Sequence, residues 1–185
     1  SDLERVLDEI RRLAKEVKDT LRRMLEKNEE LSKRDEDKTR EMLKEIERLV
    51  KELEEIADKL SDEKTVREIV RRIEEDIKRL LEEVKEKNER SIRKSKKTLD
   101  DAKRIVDKIL EEIRRLLEEL RKRVKDDDRL RKAEEEIKEI ERDLKRTLDE
   151  VAKEVKRTID RNRETSKRAA REVEKLLEKL REKTR

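Results

Sequence analysis

Ser91 and Lys94, and again Ser61 and Lys64, stand in Ser-x-x-Lys spacing, in which a lysine amine one helical turn away can take the proton of a serine nucleophile. With no histidine and no cysteine in the chain, acid–base or nucleophilic catalysis would rest on such a pair or on a hydroxyl beside Asp35. Among 58 lysines and arginines, however, Ser-x-x-Lys arises by chance, and Lys94 lies off the helical stripe that carries Ser91. No catalytic residue is expected, and the chain reads as a non-enzyme. A metal site needs several convergent ligands, yet Asp35 is the one acid expected inside. The run Asp126-Asp127-Asp128 suits a loop and helix cap better than a calcium loop, whose ligands alternate at wider spacing. Without glycine no phosphate-cradling loop can form. No metal and no cofactor is expected.

What stands out instead is a set of small polar residues at positions where a buried stripe calls for Leu or Ile. Along the first third, apolar or small residues fall at 3, 7, 10, 14, 17, 21, 24, 31, 42, 46, 49, 53, 56 and 60, the alternating three- and four-residue steps of a helical face. Asn28, Asp35 and Thr39 fill the gaps in phase, with one residue of drift near 35–39. Similar stripes run from Val66 to Val124 and from Leu130 to Leu180, widened by neighbours such as Val50, Leu81 and Leu110. Gly, Pro, Phe, Tyr and Trp are all absent and 61% of residues are charged, so nothing interrupts a helix and sheet is excluded in practice. Turn signals lie at "KLSDEKT", where Ser61 or Asp62 can cap, and at "KDDDRL", where one of the three aspartates can; Ser1 and Glu4 form a capping-box pattern.

These signals predict an all-α fold, an antiparallel up-down-up three-helix bundle of long, about 60-residue, coiled-coil-like helices. A single domain is expected over 1–185, with helix 1 at about 2–60, helix 2 at about 63–125 and helix 3 at about 128–183. If consecutive helices form hairpins, facing residue numbers must add to a constant. A total of 123 pairs Leu3 with Leu120, Ile10 with Ile113 and Ile46 with Ile77; a total of 253 pairs Leu120 with Ala133, Ile113 with Ile140 and Ile77 with Leu176. At 1.5 Å per residue such helices would be roughly 90 Å long.

Applied to the misplaced polar residues, the same totals give three layers: Asn28, Ser95 and Thr158; Ser32, Ser91 and Asn162; Asp35, Asn88 and Thr165. Each joins a carboxylate or amide to hydroxyl partners, so donors and acceptors can match. Each polar substitution forfeits roughly 1.5–3 kcal/mol of apolar burial, and an unpaired buried group costs roughly 1–3 kcal/mol more. Paired layers would fix register and topology, because a slipped bundle leaves them unsatisfied.

The net charge of +4 is small against 58 basic and 54 acidic residues. Basic residues concentrate at 85–97 and 153–168, opposite an acidic stretch at 26–37, so charge matching between helices explains much of the pattern. The alternative is a binding module that offers this basic waist to anionic partners. Aromatic platforms for nucleic-acid bases and aromatic anchors for a membrane surface are both absent, so neither specific nucleic acid nor membrane is expected as a partner. No apolar run reaches the roughly 18 residues of a membrane span, so a soluble protein of unassigned compartment is expected. A start at Ser1 without Met is expected of a processed chain or of one made recombinantly, with Ser1 a remnant of cleavage.

The stretches "SDLERVLDEIRRLAKEV" and "IVDKILEEIRRLLEELRKRV", with the polar layers, resemble computationally designed helical bundles that carry buried hydrogen-bond networks. The likeness covers the whole chain as a style of sequence, although such designs often place glycine in their loops. The resemblance implies a scaffold, monomeric, with no natural substrate and no required partner. A natural spectrin-like structural repeat is the runner-up, and its characteristic tryptophan has no counterpart here.

Overall fold

The computed structural model of the protein describes residues 1–183. Three helices account for nearly all of them, α1 (Asp2–Lys59), α2 (Glu63–Arg123) and α3 (Asp127–Lys183), packed as an antiparallel up-down-up bundle with no strand among the described residues. The connections at 60–62 and 124–126 are each cut short by an aspartate cap. Asp62 accepts the Lys64 amide on Oδ1 at 3.2 Å and the Thr65 hydroxyl on Oδ2 at 2.6 Å. Asp126 Oδ1 accepts the amides of Asp128 and Arg129 at 3.2 and 3.4 Å. Each cap satisfies amides that the first turn leaves without a carbonyl partner. The helix ends fall at Lys59, Arg123 and Asp127, one or two residues from the sequence-based bounds.

By its internal contacts the chain divides into two compact units, and each draws on all three helices. Unit 1 comprises Ser1–Glu29 and Lys94–Arg157. Its core holds Ile10 and Leu21 of α1, Ala102 and Ile113 of α2, and Ile137 and Leu144 of α3, all fully buried. The Ser95 hydroxyl donates to Asn28 Oδ1 at 3.0 Å, a pair whose numbers add to the hairpin total of 123. Between the parallel helices α1 and α3, ion pairs recur at a constant separation of 125 in residue number: Glu4 with Arg129, Arg11 with Glu136, and Lys18 with Asp143.

Unit 2 comprises Glu30–Arg93 and the chain from Thr158 onward. Ile46, Val50, Leu53, Val70, Ile77, Val173, Leu177 and Leu180 form its apolar cluster. The sequence-based stripe is corrected here. Val50, not Leu49, is buried, and Ile56 and Leu60 are 43% and 41% exposed. A helix with 3.6 residues per turn drifts about 20° per heptad against a 3.5-residue repeat, so a stripe carried unchanged from Leu3 slips by about one residue before the helix ends.

The bidentate Arg11–Glu136 pair makes a testable contribution in unit 1. Arg11 Nε and Nη2 donate to the two Glu136 carboxylate oxygens at 2.7 and 2.8 Å. This hydrogen bonding holds the Glu136 carboxyl below its ordinary value of 4.5. A carboxyl depressed by folding stabilises the fold above its unfolded value and loses that contribution as pH falls through the folded one. Because both side chains are substantially exposed, the effect is small. Urea midpoints of the parent and Glu136→Gln are expected to differ most above pH 4.5 and to converge in more acidic solution. A constant difference across that range would remove the ion pair from the explanation.

Candidate functional site

The residues singled out by sequence fall into three groups in the structure. The first is a bonded trio in unit 2. Asn162, with 0% exposure, accepts the Ser32 hydroxyl on Oδ1 at 3.0 Å and donates from Nδ2 to Ser91 Oγ at 3.0 Å. One amide thereby joins α1, α2 and α3. Ser32 and Ser91 are themselves buried, on stretches of α1 and α2 where Glu36 and Asn88 are buried as well. Asn is the residue for this place because its side chain carries both an acceptor and a donor, about 120° apart around one planar group.

The second group is the Asn28–Ser95 pair of unit 1, both buried, with Asn28 Nδ2 left without a hydrogen-bond partner among the described residues. Thr158, 2% exposed, opens the share of α3 that belongs to unit 2. The third group is Asp35, Asn88 and Thr165, which the structure does not bring into mutual hydrogen bonds. Asn88 is 1% exposed, and neither its Nδ2 nor its Oδ1 has a partner among the described residues. Asp35 and Thr165 are only half-buried. Beside Thr165, a cavity of about 200 Å³ opens between α1 and α3, lined in part by Thr39, Leu43 and Ala169.

Instead of Asp35, the acid in the interior is Glu36. Its side chain is 9% exposed and accepts Arg161 Nε at 2.6 Å, again 125 residues apart. The reason is the pitch of α1: buried positions run 28, 32, 36 and 39, with two consecutive four-residue steps where the stripe in the sequence reads 28, 31 or 32, 35 and 39. Only the drift noted near 35–39 pointed to this shift. The Thr39 hydroxyl, also buried, is satisfied locally by the Asp35 carbonyl at 2.9 Å.

Glu36–Arg161 also ties the acidic stretch of α1 to the basic stretch of α3, a direct case of the charge matching seen in composition. Ser91, the serine of the Ser-x-x-Lys pair, is occupied by Asn162, while Lys94 is exposed. Asp126 of the aspartate run serves as a cap. Among the described residues no group of three or more metal-ligating side chains converges, and no helix is long and apolar enough to cross a membrane.

No protein-family model and no curated protein matches the chain. Among solved structures it is similar to one described as "Computationally designed three helix bundle", with a TM-score of 0.62 and 17% sequence identity over 98% of this chain and 87% of that one. At that identity the likeness is one of fold, and the architecture the two share is a three-helix bundle.

Proposed function

We propose that the protein is a designed structural scaffold with no natural biochemical activity, a single monomeric bundle over 1–185 in which buried polar layers specify register and topology. The observation that carries this reading is the Asn162 amide, which uses one donor and one acceptor to join two other helices. Under the proposal the layers named from sequence contribute unequally. The Ser32–Asn162–Ser91 trio and the Asn28–Ser95 pair discriminate, because their bonds exist only in this register. A slip of α3 by one heptad brings Val155 or Ala169 to the level of Ser32 and Ser91, leaving two buried hydroxyls against methyl groups. The fold of the similar solved structure supports a scaffold reading in the same sense.

The test is Asn162→Leu, which keeps the branching of the side chain and removes both bonds. The expected result is a less uniquely folded protein: more than one set of amide resonances or a mixture of oligomers in native mass spectrometry, where the parent gives one species. A variant that is more stable and equally uniform would refute the role assigned to the trio.

A further inference from the structure

The two units are nearly equal in length but unequal in core. Of the 28 buried hydrophobic residues among those described, 17 lie in unit 1 and 11 in unit 2; of the nine buried polar ones, two lie in unit 1 and seven in unit 2. Half-buried apolar residues do not close the gap, with thirteen in each unit. The two large hydrophobics that remain exposed, Ile56 and Leu60, also belong to unit 2. So does Asn88, whose amide is buried with neither polar atom satisfied. Apolar burial is the main favourable term in folding, and each buried unpaired polar group opposes it.

We infer that unit 2 opens reversibly as a cooperative block while unit 1 stays folded. The opened form frees the α1–α2 hairpin of residues 30–93 and the α3 segment from Thr158, leaving the contiguous hairpin 94–157 packed with residues 1–29. Helices do not prevent such partial opening, because backbone hydrogen bonds within a helix are local and most of a helix's stability in a protein comes from packing its apolar face.

Native-state hydrogen exchange on the full chain, read by mass spectrometry at increasing sub-denaturing guanidinium, tests this. Amides at 36–85 and 162–180 are expected to share one denaturant-dependent opening and to exchange at least about tenfold faster than those at 5–25 and 100–151. A single opening common to all these segments, or faster exchange in unit 1, would overturn the inference. Ile113→Ala supplies a second reading. Truncating this fully buried unit 1 side chain is expected to speed exchange in unit 1 and to leave the opening of unit 2 unchanged; equal acceleration in both units would overturn the inference.

Discussion

Asn88→Leu is expected to stabilise the protein by about 2–4 kcal/mol, against the usual direction of core mutation. Asn and Leu have the same number of side-chain heavy atoms and the same branch point, so the exchange keeps shape while replacing an amide by two methyl groups. The gain has two sources. Leu contributes roughly 1.5–3 kcal/mol of apolar burial, and removing a buried amide with neither polar atom paired relieves roughly 1–3 kcal/mol. Methyl groups are somewhat larger than the atoms they replace, which subtracts from the sum. Asn88 is 1% exposed, and Val84 one turn earlier on the same face is 3% exposed, so an apolar side chain is already accepted in this stretch of α2. Guanidinium melts followed by circular dichroism would give the change, and a lower midpoint would mean that the amide is hydrogen-bonded in solution. The same exchange at Asn162 is expected to go the other way in uniqueness. Two asparagines on neighbouring helices, equally buried, are thus separated by whether their partners exist.

The second large effect compares two isoleucines of α2, each with 0% exposure: Ile113 in unit 1 and Ile77 in unit 2. Truncation to Ala at either site is expected to cost about 2–5 kcal/mol, the range for deleting a buried aliphatic side chain and leaving a cavity. What differs is where the loss is seen. Ile77→Ala should lower the opening free energy of unit 2 and that of complete unfolding together, preserving the separation between the two exchange classes. Ile113→Ala should weaken the better core and bring the classes together, toward one transition. If both variants move every probe equally, the protein unfolds as one block and the count of buried side chains is a poor guide to its cooperativity.

Much of this architecture was legible in the sequence because helical periodicity and hairpin geometry are arithmetic. The totals 123 and 253, which pair the apolar stripes and centre both loops on the turn signals, meet the structure at Asn28–Ser95 and at Ser91–Asn162. The caps were legible as a choice among neighbours, and backbone geometry selects Asp62 and Asp126 from it. The exchange of Asp35 for Glu36 was not legible, because adjacent acids differ by about 100° around a helix and an accumulated drift of that size decides which one faces inward. Arg161 was hidden for the same reason: its partner could be named only once Glu36 was known to be inside. Neither could the sequence distinguish the satisfied Asn162 from the unsatisfied Asn88, since both stand in register with polar partners on the other two helices and the outcome rests on rotamers.

The interleaving of the two units also orders events at the ribosome. The hairpin 30–93 emerges before the hairpin 94–157, yet it belongs to the unit that needs residues beyond 158. Unit 1 has all its residues once position 157 is out, so the half with the larger apolar core is complete first, while the earlier-made hairpin still waits for its third helix. During that interval the nascent chain displays the apolar faces of 30–93 without the α3 residues that cover them. The high density of charge flanking those faces would then act as a solubiliser of the unfinished chain, a role for the surface lysines and glutamates that the finished fold does not reveal.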